Sequence, residues 1–178
     1  PFRLGYVGFG EPLCWLAFGP LAISAALLIL QGNNIIYETI PWRVSMLIGS
    51  GPALATTLVL FCSHFPQIKE DSAHGKFSPL VRLGTFKASK LIPIIITLIY
   101  ILELYPISKG STPISCIICL LSLPFGLKLI SLLEKNHSKA SKILHCKYIA
   151  LKFQAANGIL FCIGFIINGL INYNSIIL

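Results

Sequence analysis

Four stretches of this chain are almost wholly apolar and long enough to cross a bilayer: 13–30, 44–62, 113–133 and 155–171. A fifth, 91–105, is shorter and has 85–90 leading into it. A bilayer core is crossed by roughly 20 predominantly apolar residues in a helix, and a helix satisfies its own backbone where no water can. The apolar residues come in blocks, not in the alternating or one-faced patterns of a water-facing core. Of the 178 residues, 11% are charged, against about 25% in a soluble domain. The expected fold is an all-α polytopic membrane protein with about five transmembrane helices.

The basic residues set an orientation. Arg3, the five between Lys69 and Lys90 and the six between Lys128 and Lys152 fall on one side of the five spans, leaving Arg43 and Lys109 on the other. By the positive-inside rule the crowded side faces the cytoplasm or its equivalent, such as a plastid stroma. The basic residues are expected to meet membrane lipid, and no nucleic-acid partner is expected. The sequence sets no oligomeric state.

The chain opens at Pro1 without methionine and without the basic and apolar regions of a signal peptide. It reads as a fragment whose N-terminal part is missing. Five of the six cysteines lie in or beside apolar spans, so Cys116-x-x-Cys119, without a second pair, reads as packing rather than as a metal or redox site. Prolines at 20, 52, 93 and 124 allow bent helices around a cavity. The segment EKNHSKASKILHCKYIALKF places Lys135, Lys139 and Lys142 at helical spacing and suits an interfacial helix. Gln154 and Asn157, inside the last span, either line a site or tie helices together. Glu103 and Lys128 are expected near helix ends, within reach of the interface.

Charge of both signs gathers in one place, HFPQIKEDSAHGKFSPLVRLG, which holds the only aspartate, Asp71. Asp71 and Glu70 are hard oxygen ligands, Lys76 and Arg82 follow, and Gly75 permits a tight turn. A carboxylate beside cations suits a diphosphate bridged by Mg2+. A solvated loop that is basic only for topology fits the composition as well. Zinc on His64, His74 and Asp71 lacks a fourth ligand, and the glycines of GYVGFGE do not have dinucleotide-binding spacing.

The order PFRLGYVGFGEPLCWLAFGPLA, then LFCSHF, then QIKEDSAHGKFSPLVRLGT resembles the C-terminal half of UbiA-type membrane prenyltransferases, most of all their 1,4-dihydroxy-2-naphthoate branch. The likeness is strongest over 1–85, and D-x-x-x-G-K followed by SPLVRLG carries most of it.

The resemblance implies a bundle of nine helices around a cavity, with two Asp-rich motifs. This chain, 1–178, would supply the last five helices of a single domain and the second motif, on a loop at 63–85. The first motif is not among these residues. Carried over, Asp71 would hold Mg2+ with Glu70 and Gln67, while Lys76, Arg82 and Lys69 would contact the diphosphate. Asp71 and Lys76 would be the catalytic pair. Gln67 stands where many members have aspartate, and Ser63 and Pro66 where the branch commonly has histidine. The implied reaction is Mg2+-dependent transfer of a phytyl or other polyprenyl group from its diphosphate to 1,4-dihydroxy-2-naphthoate with loss of CO2, in phylloquinone or menaquinone synthesis. Homogentisate, 4-hydroxybenzoate or a chlorophyllide are the neighbouring acceptors. The setting would be a plastid or bacterial inner membrane, and the many Ile, Lys and Asn residues suit an AT-rich plastid genome. A non-enzymatic transporter subunit is the rival, though it would be expected to carry charge inside its helices.

Overall fold

The computed structural model describes residues 3–32 and 39–177. A 3-10 turn at Leu4–Val7 precedes α1 (Gly10–Leu30), α2 (Trp42–Ala73), α3 (Pro79–Ser108), α4 (Ile114–Asn136), the single turn α5 (Ala140–Ile143) and α6 (Cys146–Ile177). Among the described residues five helices are long and apolar enough to cross a membrane, as the apolar blocks require. Their outer surface is aliphatic: Ile29, Leu30, Ile114 and Leu121 are each more than two-thirds exposed. In water that surface would be a liability, whereas hydrocarbon covers it at no cost.

Helix α2 is central, packing against α1, α3 and α6, and α6 also packs along the first half of α4. The core runs through Leu58, Phe61 and Phe65 of α2, Ile92, Ile96 and Ile99 of α3, Leu129 and Leu133 of α4, and Phe153 of α6. Small and polar residues supply the directional ties, as expected where apolar burial alone cannot drive helices together. Ser24 Oγ donates to Ser45 Oγ at 2.7 Å, Ser115 Oγ to the Gly164 carbonyl at 2.6 Å, and the Cys146 thiol to the Cys62 carbonyl at 3.1 Å. Four cysteines, Cys62, Cys116, Cys119 and Cys146, are buried and unbridged, the packing role expected of them. Cys14 is half-buried and Cys162 is exposed.

Pro20 coincides with a π-helical stretch at Ala17–Leu21, where the wider turn absorbs the missing donor. Pro52 and Pro93 lie inside α2 and α3, while Pro124 starts the α-helical part of α4 after nine residues of 3-10 helix.

The structure differs from the sequence reading in three places. Residues 63–85 are mostly helical, not a loop. α2 continues to Ala73 because His64, Phe65 and Asp71 share a face that turns into the bundle, and α3 begins at Pro79, breaking at Gly84 (φ 73°, ψ 159°). The lysine-rich connector is not one interfacial helix. Lys139 leaves helical space (φ −105°, ψ 87°), and Ile143 and Cys146 both enter the core. Glu103 does not reach the interface; it is 1% exposed. Its Oε2 accepts a 3.0 Å hydrogen bond from Asn157 Nδ2.

Candidate functional site

The last turns of α2 carry Gln67, Glu70 and Asp71, and His64 lies seven residues before Asp71. Two helical turns return to the same face, so the imidazole and the carboxylate meet. His64 Nδ1 donates to Asp71 Oδ2 at 2.9 Å. The opposite ring nitrogen, Nε2, stands 3.4 Å from Glu11 Oε1 at the start of α1. That approach is an ion-pair distance without hydrogen-bond geometry, since Glu11 Oε1 has no hydrogen-bond partner among the described residues. A carboxylate acceptor at Nδ1 fixes the proton there.

After Ala73 the chain turns at Gly75, whose φ of +66° lies in the left-handed region that a Cβ disfavours. The Lys76 amide donates to the Asp71 carbonyl at 2.8 Å. This short return swings the Lys76 ammonium back over the helix end, 3.2 Å from Asp71 Oδ1 and 3.4 Å from His64 Nδ1. Asp71 is 8% exposed and has both oxygens engaged by donors. Its carboxylate is therefore oriented by a cation on one oxygen and an imidazole on the other, an arrangement in which each bond is stronger than in water.

Asp71, Glu70, Gln67, Lys76 and His74 line one open cavity of about 430 Å3, to which Gly5 and Tyr6 also contribute. Four of the expected site residues are thus brought together. Lys69 is exposed and does not line this cavity; two residues from Asp71 is about 200° around the helix. Arg82 lies in the first turn of α3 and spends two donors on backbone, Nη2 on the Val7 carbonyl at 2.7 Å and Nε on the Phe77 carbonyl at 3.2 Å. His74 Nδ1 donates to the Glu70 carbonyl at 2.8 Å rather than joining His64. Among the described residues no three His, Cys, Asp or Glu side chains converge as a metal cage.

A larger, apolar cleft of about 760 Å3 opens between α1, α2 and α6, walled by residues such as Leu13, Phe18, Leu60 and Leu151. Its polar lining comprises Thr56, Ser63, Lys147, Tyr148 and Gln154. Ser63 is eight residues before Asp71, about 12 Å along α2, so the cleft starts close to the charged end and extends into the apolar zone. Gln154 reaches Thr56 Oγ1 at 3.5 Å and lines this cleft, whereas Asn157 ties helices. The two amides of α6 thus take the two roles that the sequence left open.

The sequence grouped His64 with Asp71 only as a zinc ligand set, not as a hydrogen-bond partner, and gave Glu11 no chemistry. The seven-residue interval could have pointed to His64. No local pattern links Glu11, 60 residues from Asp71, or Tyr6 to that aspartate.

An all-helical membrane bundle whose oxygen donors and lysine face a cavity at the basic end, beside an apolar cleft, is a polytopic membrane protein with its polar chemistry gathered at one end. Two curated proteins are similar to it along nearly its whole length. The 2-carboxy-1,4-naphthoquinone phytyltransferase, chloroplastic, of Arabidopsis thaliana is 40% identical over 172 residues, 94% of this chain and 44% of that protein. The 2-carboxy-1,4-naphthoquinone phytyltransferase of Synechocystis sp. is 34% identical over 168 residues, 93% of this chain and 52% of that protein. The chain spans about half the length of these relatives. Identity of this order over nearly the whole chain makes it a homologue of part of these two proteins and bears out the resemblance read from its sequence. No family model and no solved structure matches it.

Proposed function

We propose that the protein transfers a phytyl or other polyprenyl group from its diphosphate to 1,4-dihydroxy-2-naphthoate, releasing CO2. The observation that carries this reading is the Asp71–Lys76 pair on a polar cavity beside an apolar cleft. A prenyl diphosphate has one anionic end and one apolar end, and the two spaces offer one environment for each. The allylic C–O bond breaks and diphosphate leaves with the electron pair. The ring carbon that bears the carboxylate then bonds to the allylic carbon, and loss of CO2 restores the aromatic ring.

The donor set fits Mg2+. That ion binds through one or two carboxylates together with phosphate oxygens and water rather than through an all-protein cage, and Asp71, Glu70 and Gln67 offer two carboxylates and an amide on one cavity. When bound, Mg2+ would neutralise charge on the departing diphosphate. The chain's own part is to hold Asp71 in one orientation through His64, to present Lys76 to the diphosphate oxygens, and to keep the prenyl tail from water in the cleft. We place the Asp71 end on the stromal or cytoplasmic side of a plastid or bacterial membrane, because the basic residues crowd there.

The test is transfer by the full natural protein in membranes, given labelled phytyl diphosphate, 1,4-dihydroxy-2-naphthoate and Mg2+. Prenylated naphthoquinol with CO2 release in wild type, absent in Asp71→Ala, supports the reading. Wild-type inactivity with this and the neighbouring aromatic acceptors would refute it.

A further inference from the structure

The cavity at Asp71 has two walls from distant parts of the chain. One is the end of α2 with Lys76; the other is the turn Leu4–Val7, which contributes Gly5 and Tyr6. None of the four residues of that turn is buried, so apolar packing does not hold it in place. Hydrogen bonds from residues 77–82 do. The Phe77 amide donates to the Tyr6 carbonyl at 2.7 Å. Arg82 Nη2 donates to the next carbonyl, Val7, at 2.7 Å, and its Nε donates to the Phe77 carbonyl at 3.2 Å. The chain then leaves through Gly8 at φ +87°, where a Cβ would stand 3.0 Å from the Phe77 carbonyl oxygen and 3.6 Å from Arg82 Nε.

A single guanidinium therefore grips a carbonyl on each of the two segments joined by the Tyr6–Phe77 bond. The planar fork of arginine can serve two carbonyls at once, whereas the ammonium of lysine is a point charge without that fixed geometry. We propose that Arg82 is a positioning residue, which straps Leu4–Val7 across the Asp71 cavity as its outer wall and so shapes the space for the diphosphate. The inference rests on the reading of that cavity as a diphosphate site. It gives Arg82 an indirect part in place of the direct contact implied by resemblance.

Hydrogen–deuterium exchange on the full natural protein in detergent, with no metal or substrate added, is the first measurement. Arg82→Gln and Arg82→Lys are both expected to speed exchange of the Tyr6, Phe9 and Phe77 amides by about tenfold, while α3 from 88 to 100 keeps its protection. Gly8→Ala removes no charge yet should release the same amides. In the transfer assay all three variants should raise KM for the prenyl diphosphate, and Gly8→Ala combined with Arg82→Gln should be no worse than the poorer single variant, since both break one strap. If Arg82→Gln also loses protection through 88–100, Gly8→Ala decides alone. Wild-type exchange at the three amides in the folded Arg82→Gln variant overturns the proposal. So does a Gly8→Ala variant with normal exchange or a normal KM. Exchange is read without turnover, so a protein inactive with every acceptor would sink the proposed function and leave the strap measurable.

Discussion

Among the described residues, two clusters of polar side chains differ in what surrounds them. Asp71, His64, Lys76 and Glu11 sit at the basic end, where two cationic or protonatable groups stand between two carboxylates and a cavity opens beside them. Glu103, Asn157, Ser122 and Tyr100 sit inside the helices. Asn157 Nδ2 donates to Glu103 Oε2 at 3.0 Å and approaches Ser122 Oγ at 3.4 Å, which in turn pairs with the Tyr100 hydroxyl at 2.7 Å. That second cluster joins α3, α4 and α6, and none of its four members lines the two cavities of the candidate site. A buried ionisable group in a membrane helix is a functional-site hypothesis by default, but position and access separate the two clusters. The open one can meet a ligand; the closed one ties helices.

The largest expected effect breaks the open cluster. Asp71→Asn should lower prenyl transfer by about a hundred- to a thousandfold, on the scale of lost transition-state electrostatics, while detergent-solubilised protein unfolds at the wild-type temperature. A variant that loses activity only because it unfolds would erase the contrast. His64→Gln comes next. It keeps α2 intact but loosens the Asp71 carboxylate, and such supporting contacts typically cost about ten- to a hundredfold in metal affinity or activity. Titrating Mg2+ against transfer in His64→Gln and wild type measures it, and equal Mg2+ dependence with equal rate would remove His64 from the site.

The closed cluster should answer in stability instead. Glu103→Ala leaves Asn157 short of a partner in the bundle, and membrane hydrogen bonds of this kind are worth about 0.6 to 2 kcal/mol. Gly51→Ala attacks the same spot from α2, because an added Cβ would collide with Glu103 Cγ; overpacking of this kind costs about 1–3 kcal/mol. Both variants should unfold earlier in a denaturant or thermal series, with transfer per folded molecule retained. Lost transfer at full stability would mean that Glu103 belongs to the reaction. The smallest effect is expected outside both clusters. Lys90 Nζ meets Glu134 Oε1 at 3.1 Å between α3 and α4, with both side chains over a third exposed. A double-mutant cycle there should give under about 1 kcal/mol, shrinking with salt.

Much of this was legible in the chain itself. Apolar blocks specify membrane helices because unpaired backbone is not tolerated in hydrocarbon, and all five spans were readable on that ground. The crowding of charge around a single aspartate marked the end of the bundle where the cavity at Asp71 opens. The shortest span, 91–105, was underestimated because lysines at 87 and 90 mask a helix that begins at Pro79 and needs no apolar residue near the interface. The stretch 63–85 read as a loop because its residues are polar, yet polar residues at a helix end remain helical when one face is held by His64, Phe65 and Asp71. Glu103 was misplaced for a related reason. Its distance from the helix end along the sequence is short, but only the packing of α6 reveals that Asn157 meets it.

Periodicity and composition act within about two turns of a helix, and there the sequence alone determined the outcome: five apolar helices, a basic end, and a carboxylate with lysine five residues on. Contacts between residues far apart in the chain were decided by tertiary structure. Glu11 approaches His64 across 53 residues, Arg82 holds Val7 across 75, and Asn157 meets Glu103 across 54. Each depends on how helices cross and which faces oppose, and neither is encoded in any local run of residues. The direction of a helix face follows from its own sequence; the partner it meets follows from the packing of the whole bundle.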